Sequence, residues 1–221
     1  MGQRPSATSF ASELSGEELG CLLTHLRAVP REGRCLEIGT AAGGTLCEMM
    51  RAFTDANRPQ FVVVDPMNYF ANQLGVVKEN LQRHGLPAAG VDLRAARSAD
   101  AFPLAAQVGE TYDFIFIDGA HQIRYVTQDL RWTRLLKPGG LVLLHDYYQD
   151  RLKGVRLSAQ RFLAQHSNYR REMLVGSLLV LRKTAPSSRM EINGWEELRA
   201  TLISPVLQWE RSLNKRLGRP A

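Results

Sequence analysis

A buried apolar strand that breaks into a glycine turn and restarts as a helix constrains this chain more than any other feature. The stretch is Cys35-Leu-Glu-Ile-Gly-Thr-Ala-Ala-Gly-Gly44, and the helix begins at Thr45-Leu-Cys-Glu-Met-Met50. Phe61-Val-Val-Val-Asp65 follows, an apolar strand whose terminal acid lies 28 residues after Glu37. Strand, glycine turn, helix and a second acid-tipped strand form one half of a nucleotide-binding sheet. The glycines let backbone approach a ligand closely, and the acid accepts hydrogen bonds from ribose hydroxyls. The turn is not the dinucleotide fingerprint. Gly39, Gly43 and Gly44 do not make G-x-G-x-x-G, because Ala41 stands at the middle glycine position. A pyrophosphate therefore does not suit this turn. Glu37, two residues before the first glycine, suits a ligand without phosphates.

The rest of the chain repeats the alternation. Ser15-Gly-Glu-Glu18 reads as a capping box opening a helix through Leu19, Leu22, Leu23 and Leu26, ended by Pro30 and Gly33. Helical spacing predicts a helix over 69–84, and alternation predicts a strand over 91–96 with Arg97-Ser98 at its end. A short helix follows over 100–107, with Asp100 read as its N-cap. Tyr112-Asp-Phe-Ile-Phe-Ile-Asp118 is nearly continuous in apolar residues, as in a strand covered on both faces. A helix over 121–136, a Lys137-Pro-Gly-Gly140 turn, a strand over 141–146 and a helix over 151–165 come next. Residues 169–175 and 177–183, joined at Gly176, read as an antiparallel pair.

The predicted fold class is α/β: a Rossmann-like, doubly wound, mostly parallel seven-stranded sheet with an antiparallel terminal strand pair and a C-terminal helical tail. Its parts are an N-terminal helical cap (1–30), a cofactor-binding domain (31–184) and an amphipathic tail (185–221) carrying Trp195, Leu198, Leu202, Leu207, Trp209 and Leu213. Right-handed crossovers place Glu37, Asp65, Asp118 and Asp146 on one rim of the sheet.

Composition narrows the partners. The net charge of +6 is spread along the chain and reads as a solvated basic exterior, with no aromatic interleaving of the kind that binds single strands. No nucleic-acid partner is expected. No apolar run nears the roughly 18 residues of a membrane span, and no secretory signal is apparent at the N-terminus. Cys21, Cys35 and Cys47 show no C-x-x-C spacing and read as reduced core residues of a cytoplasmic protein. The tail is read as packing on its own domain, as an interfacial helix, or as the arm of a homodimer.

The first motif, Glu37-x-Gly39-x-x-x-Gly43, resembles that of the class I S-adenosylmethionine-dependent methyltransferases. The block Asp118-Gly-Ala-His121, the Lys137-Pro-Gly-Gly140 turn, His145-Asp-Tyr147 and the closing Leu-Leu-Val-Leu-Arg-Lys183 resemble the small-molecule O-methyltransferase branch, which includes macrolide-sugar, cephalosporin-pathway and catechol-type enzymes. The resemblance covers residues 33–183. It implies S-adenosylmethionine as cofactor, held by Glu37, Gly39, Thr40, Gly43, Gly44, Asp65, Ser98 and Asp118. Glu37 would meet the cationic amino group, Asp65 the ribose and Ser98 the adenine.

The acceptor implied is a hydroxyl of a small molecule: a natural product, a sugar or a phenol. Competing readings are a non-catalytic cofactor-binding scaffold and a nucleic-acid methyltransferase, although no Asn/Asp-Pro-Pro-Tyr motif occurs. Catalysis would fall to His121 with Asp118 and Asp146. His121 stands where catechol-type relatives hold a lysine, and imidazole has an ordinary pKa of about 6.5, suited to a general base. A capping or supporting role for His121 is the alternative. In metal-dependent relatives Asp118 and Asp146 would be Mg²⁺ ligands, with Tyr147 in the third place, a poor ligand when neutral. Two carboxylates with water could hold Mg²⁺, or His145, Asp146 and His121 could form a metal-free acid/base site. His145 could also face the core and be silent. Tyr147, Tyr148, Arg124 and Tyr125 are the expected rim of the acceptor pocket, with Asp129 orienting its helix.

Overall fold

A computed structural model describes residues 10–148 and 153–187, with 198, 199, 201–206 and 209 of the tail. Its elements in chain order are α1 (Gly16–Leu26), β1 (Arg34–Ile38), α2 (Gly44–Arg51), β2 (Gln60–Asp65), α3 (Gln73–Arg83), β3 (Val91–Ala95), α4 (Ser98–Gln107), β4 (Tyr112–Ile117), α5 (Ile123–Leu130), β5 (Leu136–Leu144), α6 (Lys153–Gln165), β6 (Tyr169–Val175) and β7 (Leu178–Lys183). The seven strands form one sheet in the order β3-β2-β1-β4-β5-β7-β6. Strands β1 to β5 are parallel, and β7 runs antiparallel to both β5 and β6.

The central strands β1, β2 and β4 are apolar on both faces because helices cover both, whereas the edge strands β3 and β6 are partly polar and exposed. Leu36, Val62 and Ile115 join a cluster with Trp132 and Phe162, while their neighbours Cys35, Phe61 and Phe114 join the opposite cluster with Leu46, Met50 and Leu81. Strand order reverses direction at β1, between β2 and β4, so the carboxyl ends of these strands open a crevice there. The antiparallel β7–β6 pair extends the far edge and brings its tight turn, at Gly176, back toward α1.

Several boundaries differ from those expected, each for a local reason. The capping box is formed: Ser15 and Glu18 exchange backbone and side-chain hydrogen bonds at the start of α1. Helix α3 begins at Gln73 and not at residue 69, because Asn72 ahead of it is left-handed. Helix α5 ends at Leu130, and the chain tightens into a 3₁₀ turn over Arg131–Leu135 that buries Trp132. Lys137-Pro-Gly-Gly140 lies within β5, with a register shift against β4 between Tyr112 and Phe114. Asp100 sits in the first turn of α4 and the N-cap is Arg97.

Cys35 and Cys47 are buried, and all three cysteines are free. No helix among the described residues is long and apolar enough to cross a membrane. In the tail, residues 201–206 are helical through Pro205, and Leu198, Leu202, Val206 and Trp209 are exposed. Trp195, Leu207 and Leu213 lie outside the described residues, as do residues 149–152 of the loop after Tyr148.

Candidate active site

A cavity of about 780 Å³ opens at the carboxyl ends of β1, β2, β4 and β5, within the size range of a cofactor site. All four rim acids, Glu37, Asp65, Asp118 and Asp146, line it. The parallel strands explain the coincidence: each acid follows an apolar run at the same end of the sheet.

The glycine turn is held in place by one of these acids. Asp65 Oδ2 accepts the Thr40 N–H at 2.9 Å, and Oδ1 accepts Met67 N–H at 2.6 Å and the Gln73 amide at 3.2 Å. Gly39 is left-handed at φ +83°, and a β-carbon there would lie 2.5 Å from the Asp118 carbonyl oxygen. Glycine is therefore required for β1 to turn against β4. Gly43 faces Val77 and stays off the cavity wall, whereas Thr40 and Gly44 are on it.

Glu37 is buried with both carboxylate oxygens lacking a hydrogen-bond partner in the protein. Burial, reinforced by the charges of Asp118 and Asp65, pushes its carboxyl up to about 8, against the opposing Thr40 hydroxyl. That hydroxyl lies near without making a hydrogen bond, and its own oxygen also lacks a partner. A buried acid that lines a cavity with no internal partner has room to take a hydrogen-bond donor from a ligand.

Ser98 and Asp129 stand together on the wall. The Ser98 oxygens accept the Trp132 indole N–H at 3.1 and 3.2 Å. Burial raises Asp129 to about 7, opposed by the Ser98 hydroxyl and by His121. Asp129, expected only to orient its helix, lines the cavity, and so does its neighbour Gln128, which carries no signal in the sequence.

The other end carries two histidines. His121 Nε2 lies 2.6 Å from Asp146 Oδ2, close enough for an ion pair but outside hydrogen-bond geometry. Asp146 is left-handed at φ +59°, which aspartate tolerates better than most residues. His145 also lines the cavity, with Nδ1 3.0 Å from Asp118 Oδ1 and Nε2 3.6 Å from Glu18 Oε2. Burial works against a charged His145 ring, but the Asp118 hydrogen bond and the charges of Asp118, Asp146 and Glu18 outweigh it and push the ring up to about 9. Burial likewise opposes ionisation of Glu18, whose hydrogen bonds from Ser15 and Ser177 hold it down at about 2.

Three expected acceptor residues fall elsewhere. Tyr147 is buried in the apolar core, so the group beside Asp118 and Asp146 is His145, on the other side of Asp146 in sequence. Tyr148 is exposed and stacks edge-on against Tyr147, off the cavity wall. Arg124 lies over the Tyr125 ring, and of that pair Tyr125 lines the cavity.

An unforeseen wall comes from the N-terminal segment, where Ala11 and Glu13 face the cavity. Asn80, fully buried, donates to both the Phe10 and the Ala42 carbonyl oxygens at 3.0 Å, tying this strap to the glycine turn. The Ser12 and Thr45 hydroxyls meet at 2.9 Å. Nothing in the sequence of residues 10–14 signals this packing.

Comparison with known proteins fits this geometry. A family described as a methyltransferase domain matches residues 36–147, from the first strand through the His145-Asp-Tyr147 corner. The chain belongs to this methyltransferase family. It is thus an S-adenosylmethionine-dependent enzyme, and its cavity lies at the switch point where open α/β sheets bind their ligands. Among solved structures it is similar to an O-methyltransferase from Bacillus cereus in complex with S-adenosylhomocysteine, at 18% identity over 75% of this chain and 79% of that one, with a TM-score of 0.58. It is also similar to the O-methyltransferase TomG of tomaymycin synthesis from Streptomyces achromogenes, at 23% identity over 76% and 79% of the two chains, with a TM-score of 0.56. CalS11, a TDP-rhamnose 3'-O-methyltransferase of calicheamicin biosynthesis, shares 18% identity over 74% and 76%, with a TM-score of 0.60. No curated protein matches the methyltransferase by sequence.

Proposed function

We propose that this methyltransferase methylates a hydroxyl of a small molecule, with His121 as general base. The observation that carries the reading is the His121–Asp146 pair, 2.6 Å apart on the same cavity that Glu37 and Asp65 line. A base whose second partner is a carboxylate follows the logic of an oriented imidazole.

When bound, S-adenosylmethionine supplies a methyl group on a sulfonium, and the carbon–sulfur bond breaks as the acceptor oxygen takes that methyl. Glu37 would receive the ammonium of the methionine portion in its unpartnered socket. Asp65 would use its remaining lone pairs for the ribose, and Ser98 with Asp129 would face the adenine. Gly39 and Thr40 supply a backbone wall that nothing larger than hydrogen at residue 39 allows. His121 would take the hydroxyl proton, with Asp146 stabilising the ring as it gains charge. Tyr125 lines the same cavity and would contact the acceptor. The structural relatives named as O-methyltransferases, one of them acting on a sugar nucleotide, support a hydroxyl acceptor.

The test is incubation with methyl-labelled S-adenosylmethionine and a panel of sugars, phenols and polyketide-like alcohols, read by mass spectrometry. The expected result is one added methyl on oxygen. Label transferred only to RNA or DNA, or cofactor binding with no turnover anywhere in a broad panel, would overturn the reading.

A further inference from the structure

Acids face both ring nitrogens of His145. Asp118 Oδ1 lies 3.0 Å and Asp146 Oδ1 3.7 Å from Nδ1, while Glu18 Oε2 lies 3.6 Å from Nε2. Glu18 reaches this point from the first turn of α1 and is fixed there. Its Oε2 accepts the Ser15 backbone and hydroxyl at 2.9 and 2.8 Å, and its Oε1 accepts the Ser177 backbone and hydroxyl, both at 2.7 Å. A β-carbon on Gly176 would stand 2.7 Å from Glu18 Oε1, so the turn between β6 and β7 is fitted around this carboxylate. The capping-box acid of the N-terminal helix is thus a wall of the imidazole's seat.

The donor set bears on Mg²⁺, which the resemblance implies at Asp118 and Asp146. Among the described residues, Asp118, His145 and Asp146 are the one group whose donor atoms lie within 4.8 Å of one another. Mg²⁺ takes oxygen ligands in a near-ideal octahedron. The third donor here is a ring nitrogen. That nitrogen, Nδ1, lies 3.0 Å from Asp118 Oδ1 and 3.7 Å from Asp146 Oδ1, so the ring stands between the two carboxylates where an oxygen-bound ion would need the room. The residues present do not fit Mg²⁺.

We propose that His145 occupies the place between the two rim carboxylates that a metal ion holds in metal-dependent relatives, and that Glu18 is the positioning residue that keeps it there. Methyl transfer here then proceeds without a divalent ion. The inference rests on the methyltransferase reading and concerns only how its site is assembled.

The test is a Mn²⁺ titration of the full-length protein, followed by the electron paramagnetic resonance of the free ion. Wild type should leave Mn²⁺ free into the millimolar range. His145→Asp, which puts an oxygen donor in place of the ring, should bind Mn²⁺ roughly 100-fold more tightly or better. Micromolar Mn²⁺ binding by wild type would overturn the proposal, and so would a His145→Asp protein that binds S-adenosylhomocysteine without gaining Mn²⁺ affinity. If that variant does not fold, the wild-type titration decides alone. For Glu18, long-range proton–nitrogen spectra of the histidine rings provide the signature. Glu18→Gln should move the His145 peaks and Glu18→Asp should move them less. Unmoved His145 peaks in a folded Glu18→Gln protein would remove the positioning role. Failure of wild type to bind S-adenosylhomocysteine would count against the methyltransferase reading and leave these tests distinct from it.

Discussion

A β-carbon on Gly44 would stand 2.2 Å from the carbonyl oxygen of Ala11, so the N-terminal strap and the first turn of α2 meet backbone to backbone. The glycine expected to face the cofactor is therefore also the one that lets the strap close over the turn. Alanine at this helical position would ordinarily gain about 1 kcal/mol of helix propensity. The clash with rigid backbone reverses the sign. Gly44→Ala should destabilise the protein by about 1–3 kcal/mol, read by urea unfolding. In a variant lacking residues 1–12 the same substitution should cost much less, because the two changes share one contact. Equal costs in both backgrounds would show that the strap does not set the requirement.

Glu37 predicts a pH dependence with a definite sign. Its folded-state carboxyl is pushed up to about 8, above the ordinary 4.5, chiefly by burial. A raised acid contributes stability that is fully present below about pH 4.5 and lost as pH rises through about 8. The cofactor-free protein should therefore lose roughly a few kcal/mol over that window from this group. Asp129, raised to about 7, acts in the same direction, so the informative quantity is the difference between wild type and Glu37→Gln. His145, raised to about 9, adds to that shared slope, so in the variant the gap between the denaturation midpoints at pH 5.5 and 8.5 should narrow without closing. A wild-type slope left intact by Glu37→Gln would assign the loss to other groups.

The rim was legible in the sequence because its logic is local. Asp65 and Asp118 each end a continuous apolar run and Glu37 lies one residue before the end of β1, and parallel strands joined by right-handed crossovers must put such ends together. What stayed hidden depends on contacts between distant parts of the chain. Glu18 announced itself only as a cap, since its approach to His145 depends on where α1 and the Gly176 turn dock. The placement of Tyr147 was lost for a different reason. The left-handed turn at Asp146 resets the alternation beyond β5, sending Tyr147 into the core and leaving His145 on the cavity. Asp129 looked like a helix-orienting acid, and only the tightening of the chain after Leu130 seats Trp132 against Ser98 beside it.

Asp65 is asked to do two things, and substitutions can separate them. It holds Thr40, Met67 and Gln73 through hydrogen bonds, and it lines the cavity where a ribose would sit. Asp65→Ala should weaken S-adenosylhomocysteine binding by about 1–3 kcal/mol and also lower stability, because the Thr40 N–H is left buried without an acceptor. Asp65→Asn retains one accepting oxygen, so it should lose less stability while still losing affinity. Calorimetry and thermal unfolding on the same samples measure both. Unchanged affinity in Asp65→Ala would take the ribose contact away from this residue.

His121 and Asp146 should behave as one unit if the imidazole is the base. His121→Ala should cut turnover on any acceptor found in the panel by roughly 10²-fold or more, with little change in the Michaelis constant for S-adenosylmethionine. Asp146→Asn keeps the shape of the partner but removes the charge that stabilises the ring as it takes the proton, so it should lower kcat in the same direction. The double variant should be no slower than the worse single one, since a base and its orienting carboxylate cannot both be lost independently. Multiplicative losses would mean that the 2.6 Å pair acts as two separate contacts. Near-normal turnover in His121→Ala would reduce His121 to a supporting residue ahead of α5, whose N-cap is Gln122, and leave the acceptor proton to another group.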